Sequence, residues 1–394
     1  METILEGVRV LDLTRALAGP YGSMILGDLG AEIIKIEALD ARAEAIGVYS
    51  YKGQDAYFMS VNRSKKSVTL DVRTDQGRQV FYDLVKVSDV VFDNFRPGVL
   101  ERLKIDYSAL KALNPRIISC SITGFGSDGP YRNRPAYDLV VQAMSGAMSV
   151  TGEEGRPPVR SGIAIGDQGA GMFAVHAILA ALYARERTGV GCKVETSLLE
   201  AMIALLAYEA GYYLLSGVVP GPVASGHRTI ALYQTFQTKD HYVAVAAINR
   251  FPALCKVLGK EELIPDPRFS NEQIVEHKGE LLAILREAFL TKDTETWLEL
   301  LTEADVPCGP VNTLDKALSN PQVLARDMVV SIEHTLGGEV RQTGNPIKTS
   351  VTPAEVRRKF LSPPTLGEQT EQVLSHLLGY SPGRIARLRA EKVI

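Results

Sequence analysis

Asp167 is the residue whose type and setting most directly suggest chemistry. It lies in Ala164-Ile165-Gly166-Asp167-Gln168-Gly169-Ala170-Gly171, just ahead of an apolar run from Met172 to Tyr183. An acid among small residues at the entrance to a buried helix has two uses. It can cap the first helical turn, the commoner role for such an aspartate, or it can attack an electrophile. With an ordinary pKa of about 3.9 the carboxylate is ionised near neutrality and needs no general base. A helix N-terminus would hold it ionised. Amide N–H groups near Gly169 to Gly171 would donate to the oxyanion of a tetrahedral intermediate, and small neighbours would leave room for an acyl group.

Other constellations are weaker. Gly124-Phe125-Gly126-Ser127-Asp128-Gly129 matches G-x-G-x-x-G after a predicted strand. A dinucleotide site needs a helix next, to receive the pyrophosphate. Here Pro130 to Pro135 follows and Met144 stands where a ribose-binding acid belongs, so the segment reads as a glycine-rich turn. Cys120, Cys192, Cys255 and Cys308 form no C-x-x-C pair and the six histidines no H-x-x-x-H pair, so no metal site is expected. His176 sits on the apolar helix and reads as packed core. A formal net charge of −3 without a basic block argues against nucleic acid as a partner. The N-terminal residues have no signal-peptide pattern, and the runs Ala170–Ala184 and Leu198–Leu215 read as too short or too interrupted to span a membrane. The expectation is a cytoplasmic protein without a membrane partner.

The elements that must position Asp167 follow from periodicity. Val8–Leu13 reads as a buried strand, with Pro20 in the first turn of a helix that ends at Gly30 and a second strand over Glu32–Glu37. Strands over Ser67–Asp71, Val90–Asp93 and Arg116–Ile122 alternate with helices over Gly77–Val87 and Val99–Leu113, which predicts a parallel sheet with helices on both faces. Gly166–Arg187 and Glu195–Ser216 read as long helices, apolar nearly all round, for a core or a subunit interface. A Gly/Pro-rich boundary at Val218–Gly226 then divides the chain. The expected organisation is a large domain over 1–220, a small domain over 225–325 with strands in Tyr233–Ala247, and a return to the large domain over 326–394, with a hairpin at Gly337-Gly338 and a short helix near Glu371–Leu378.

Several segments, in order, carry a resemblance. They are Leu11-Asp12 to Pro20, Gly27 to Ala31, Lys35-Ile36-Glu37, Asn94-Phe95-Arg96-Pro97-Gly98, Ala136-Tyr137-Asp138, Gly166-Asp167, Arg187 to Gly191, Thr196 to Ala201, Val306 to Asn312 and Pro363 to Gly379. Taken together they resemble the class III coenzyme A transferases, a family that includes formyl-CoA and carnitine-CoA transferases and the related α-methylacyl-CoA racemases. The resemblance spans nearly the whole chain. It implies an α/β fold, with a Rossmann-like large domain formed by both chain ends, a smaller α+β domain, and two chains interlocked like rings. The implied partner is a second copy, or a paralogue in a heteromer.

The resemblance also implies a reaction. Asp167 matches the nucleophile that attacks an acyl-CoA, forming an aspartyl anhydride and then an aspartyl-CoA thioester before the acceptor acid completes the exchange. Acyl-CoA and a carboxylic acid are the substrates, with no permanently bound cofactor. Carried over, the CoA contacts are Ala16, Leu17, Ala18, Leu70, Arg73, Asn94, Phe95, Arg96, Arg102 and Tyr137. Arginines suit phosphates, and the Asn94–Gly98 turn lies at a strand's C-terminal end, where open α/β sheets bind ligands. The chain departs from the family pattern at Leu17, where many relatives have glutamine, and at Ala38, where they have a basic residue. The segment Pro220–Arg228 lacks the glycine run of the formyl-CoA:oxalate enzymes. Tyr137 stands where the racemases place histidine, which ranks transfer above racemisation because a phenol exchanges protons poorly near neutrality. A CoA-binding subunit without activity is the alternative of another class. Arg132, Arg134, Arg156 and Arg160 are candidates for an acceptor's second carboxylate, and a succinyl-CoA-type donor is favoured.

Overall fold

The computed structural model describes residues 3–41, 49–353 and 359–394. They divide into two compact units, one of residues 1–147, 160–217 and 322–394, the other of 148–159 and 218–321.

The first unit is built on six parallel strands: β1 (Arg9–Asp12), β2 (Glu32–Glu37), β3 (Lys65–Thr69), β4 (Val90–Asp93), β5 (Ile118–Thr123) and β6 (Lys193–Ser197). Their spatial order is β3-β2-β1-β4-β5-β6, which reverses direction between β1 and β4. Adjacent side chains on one strand enter opposite cores. Val10, Ile33, Val90, Ile118 and Cys120 pack toward α1 (Ala18–Asp28) and α4 (Ile165–Thr188). Leu11, Ile34, Val68 and Val91 pack toward α2 (Asp75–Lys86) and the C-terminal residues Leu374, Ile385 and Leu388. This explains why the strands read as continuous apolar runs. The edge strand β3 is closed by the chain's end: Gln369 Oε1 accepts from Ser67 N at 2.8 Å, and Val393 O accepts from Asp71 N at 2.8 Å. Buried Arg63 bonds Asp28 at 2.6 Å and the Thr343 carbonyl at 2.7 Å, tying down the hairpin of β10 (Val329–Glu333) and β11 (Glu339–Thr343).

The second unit has an antiparallel sheet of β7 (Tyr233–Gln237), β8 (Tyr242–Ala246) and β9 (Cys308–Pro310), with β8 central. Helices pack on it around Phe236, Phe289 and Trp297.

Three expectations need correction. Glu195 is not helical: Lys193–Ser197 alternates with period two and forms β6, and Ser197 then caps α5 (Leu198–Leu205) by accepting from Glu200 N at 3.2 Å. The apolar stretch beyond is itself broken, because α6 (Ala207–Ser216) turns 73° from α5 at Ala207, whose φ is 40°. The predicted helix Val99–Leu113 is two, Val99–Leu103 and Tyr107–Leu113: Lys104, at φ 60°, ends the first, and Asp106 caps the second. His176 is exposed rather than packed in the core, with its ring 6.2 Å from that of Phe173 on the outer face of α4. The helix expected over Gly166–Arg187 is α4, at 24 residues and, by length and composition alone, apolar enough to cross a membrane. Half of that apolar window is buried inside the chain.

Candidate active site

The strand order places a crevice beyond the C-terminal ends of β1 and β4, the switch point where open α/β sheets bind ligands. The turn after β1 is held from three sides. Asp12 Oδ1 accepts from Thr14 N at 2.8 Å, Lys35 Nζ donates to the Thr14 carbonyl at 2.7 Å, and the Asn94 side chain grips both backbone groups of Arg15 at 2.9 and 2.8 Å. Ala16 follows in the left-handed region at φ 60°.

Two cavities open on this turn. One, of about 840 Å³, is lined by Arg15, Leu70, Arg73, Phe95 and Arg102 among others. The second, of about 380 Å³, is lined by Thr14, Ala16, Lys35, Tyr57 and Asn62 among others. They share Arg15, Ile36, Glu37, Ala38 and Ala41, so they form one trough. Its wide end carries cations of different availability. Arg73 is chelated by Asp71 at 2.8 and 2.9 Å, whereas Arg102 has no ion-pair partner among the described residues. Arg15 lies over the Phe95 ring at 5.7 Å.

Of the carried-over contacts, the trough thus gathers Ala16, Leu70, Arg73, Phe95 and Arg102. Asn94 supports it through the Arg15 backbone. Ala18 is buried in the core, and Leu17 is the half-buried residue preceding α1. Arg96 lines a different cavity, of about 540 Å³, together with Arg132, Ser119 and Lys193. Tyr137, 76% exposed, precedes α3 (Asp138–Met144). Of the remaining candidate arginines, Arg134 stacks on Tyr131 at 3.9 Å, Arg156, in the second unit, lies 4.0 Å from Glu153, and Arg160 donates to Ser161 O at 3.0 Å.

Asp167 occupies the first turn of α4 but does not cap it. The cap comes from Asp138, whose Oδ1 accepts from Gly166 N at 2.8 Å and Asp167 N at 3.3 Å while Oδ2 accepts from Gln142 Nε2 at 2.6 Å. Ile163 O and Ala164 O accept from Ile165 N and Gln168 N. The expected oxyanion donors at Gly169–Gly171 lie deeper, inside the helix, where N–H groups serve the i−4 carbonyls. The small residues around Asp167 have a packing reason instead. A Cβ on Gly171 would come within 2.5 Å of the Ala18 carbonyl, and one on Gly169 within 2.8 Å of Leu205. The Asp167 side chain, half-buried and unpaired by any cation among the described residues, is pushed up to about 6 by burial and by the Asp138 charge. This corrects the expectation of an ordinary aspartate, while the carboxylate stays mostly ionised at neutral pH.

Tyr57 links the two parts. It lines the narrow end of the trough, and burial together with the charges of Asp167, Asp55 and Asp138 raises its phenol above the usual range. Asp138 and Tyr57 were not singled out in the sequence as acting on Asp167. The signal for Asp138 was its place as the acid opening α3, and Tyr57 carried none.

The family model described as CoA-transferase family III matches residues 5–370. The succinyl-CoA:glutarate CoA-transferase of Mus musculus is 38% identical over 395 residues, covering 99% of this chain and 90% of that protein. The acetyl-CoA:oxalate CoA-transferase of Acetobacter aceti is 38% identical over 350 residues, covering 88% of this chain and 89% of that protein. A crystal structure of a CaiB/BaiF family protein from Brucella suis superposes with a TM-score of 0.85 at 37% identity, covering 96% of this chain and 100% of that one.

Proposed function

The chain belongs to CoA-transferase family III and is a CoA-transferase; from that premise we propose that it carries the acyl group and then CoA on Asp167. The carboxylate attacks the thioester carbon of a succinyl-CoA-type donor, giving an aspartyl anhydride and CoA thiolate. The thiolate attacks the aspartyl carbonyl and expels the donor acid, leaving an aspartyl-CoA thioester. The acceptor carboxylate reverses the sequence and leaves as the new acyl-CoA. The observation that carries the reading is the position of Asp167: first turn of a helix, amide held by Asp138, no neutralising cation among the described residues, its charge felt by Tyr57 at the end of the trough.

In this reading the trough takes the CoA moiety, with Arg102 and Arg15 toward phosphates and Leu70 and Phe95 toward apolar parts. A dicarboxylate such as glutarate is the favoured acceptor, by likeness to the mouse enzyme. The acyl-enzyme is the test. Protein incubated with succinyl-CoA and quenched with hydroxylamine or borohydride is expected to be modified at Asp167, found by peptide mass spectrometry. Full transfer by Asp167→Ala with no adduct would overturn it.

A second reading rests on the same raised carboxyl. A carboxylate near 6 is a better proton acceptor than an ordinary one, which suits racemisation at an α-carbon. Solvent deuterium entering an α-methylacyl-CoA without any acceptor acid would establish it.

A further inference from the structure

Beneath the trough lies a charged cluster that the proposed reaction does not use. Lys65 is wholly buried, with Nζ donating to Pro20 O at 2.9 Å, Asn62 Oδ1 at 2.8 Å and Asp12 Oδ2 at 3.2 Å. Asp12, equally buried, also accepts from Ser23 Oγ at 2.6 Å and from Thr14 N and Oγ1. Lys35 Nζ lies 3.9 Å from Asp12 and bonds the Thr14 carbonyl. Glu37, nearby on β2, accepts from Ser67 Oγ at 2.6 Å. Burying two ammonium groups and their counter-ions is costly and in general stabilises less than apolar packing of the same volume. Lys35 reaches from the cluster to the Thr14 carbonyl, in the turn that faces the trough, and Lys35 itself lines the trough.

We infer that Lys35 is a positioning residue for CoA, holding the Thr14–Ala16 turn in the shape that receives it; this rests on the reading of the trough as the CoA site. The physical need is visible at Ala16. A non-glycine residue in the left-handed region is strained and persists only where its surroundings over-determine it. Asp12, Lys35 and Asn94 do so from β1, β2 and the turn after β4, leaving Thr14 and Arg15 no freedom to relax. Asp12 and Lys65 in turn anchor the start of α1 through Ser23 and Pro20. Without the Lys35 bond, Ala16 would fall back to negative φ and the crest of the turn would shift into the trough.

The experiment compares wild type with Lys35→Met by calorimetric titration with free CoA, by steady-state kinetics and by Tm. The folded variant is expected to bind CoA about 10- to 100-fold more weakly, the range for losing one charge-assisted hydrogen bond. KM for acyl-CoA rises in parallel, and kcat at saturation stays within about threefold. Ala16→Gly added to Lys35→Met is expected to recover at least about threefold of that affinity, because glycine enters the left-handed region without strain. A merely structural lysine predicts no such recovery. Lys35→Gln, whose shorter amide falls short of the Thr14 carbonyl, stands in if the methionine variant does not fold. Wild-type CoA affinity in either folded variant, or a loss confined to kcat, would overturn the inference. Wild type that binds no CoA would overturn the reading of the trough itself, a different result from wild-type binding with an unaltered variant.

Discussion

At the scale of single residues the proposed reaction depends on a carboxyl that is not at ease. Asp167 takes its proton near 6 in the folded chain, against about 3.8 for the ordinary group, because burial and the Asp138 charge both penalise the anion. Two consequences follow. Acyl transfer should lose rate as pH falls through about 6, and Asp138→Asn, which removes the like charge but keeps an oxygen to cap α4, should move that acid limb downward; pH profiles of kcat/KM check both. The stability linkage has the opposite sense. Since the folded chain holds the proton more tightly than the unfolded one, ionised Asp167 destabilises above pH 6, and the penalty fades as pH falls toward 4. Asp167→Asn should therefore raise stability at pH 7.5 by about 1–2 kcal/mol, discounted for partial exposure, while lowering kcat by about 10⁴-fold or more. Denaturant melts at pH 7.5 and 4, the gain vanishing at the lower pH, separate this from a packing effect. The trough arginines differ for a simpler reason. Arg73 is already neutralised by Asp71, and Arg102 has no ion-pair partner among the described residues, so Arg102→Ala should raise KM for acyl-CoA several-fold more than Arg73→Ala, with a difference that shrinks in high salt.

At the scale of elements, the site depends on how closely two helices approach. The backbones of α1 and α4 meet at Gly22 and Gly171, where a Cβ on Gly171 would strike the Ala18 carbonyl and one on Gly22 would lie 3.0 Å from the Gly171 carbonyl. Backbone cannot yield as a flexible side-chain tip can. Gly171→Ala should therefore push the helices apart, costing about 1–3 kcal/mol and disturbing both the turn at Ala16 and the first turn of α4. Chemical denaturation combined with CoA titration checks it; unchanged stability would mean that the helices part freely. The glycines around Asp167 thus serve packing, where the sequence suggested room for an acyl group. The cap shows the same logic. An aspartate near a helix start is legible from spacing, but which aspartate caps it depends on the placement of α3, twenty-eight residues away in register between Asp138 and Gly166.

At the scale of the whole molecule, one chain leaves much apolar surface uncovered. Tyr183 and Phe173 on α4, Ile203 on α5, and Leu214 and Leu215 on α6 are exposed, Leu215 to 91%. Large exposed apolar patches mark association surfaces. The interlocked pair expected from the family resemblance would bury such surface, and we propose a dimer on that ground. Light scattering should give twice the mass of 42.9 kDa, and Leu214→Glu with Leu215→Glu should drive the protein toward monomer or aggregate. A monodisperse monomer in the unaltered protein would refute the proposal.

The sequence by itself determined what depends on short range. Continuous apolar strands announced a doubly covered parallel sheet because each strand feeds two cores, and the run after Asp167 announced a buried helix because its length exceeds any strand. Motif order alone pointed to the family, since many weak matches in series are specific where each alone is not. The strand end at Glu195–Ser197 is not legible locally because it runs without a glycine or proline straight into the apolar α5; only pairing with β5 decides the strand. Tertiary structure decided the protonation of Asp167, the exposure of His176, the separation of Arg96 from the other carried-over residues, and the Lys35 grip on Thr14. Each of these turns on a distance or a dielectric set by residues far apart in the chain, and neither quantity is written in local spacing.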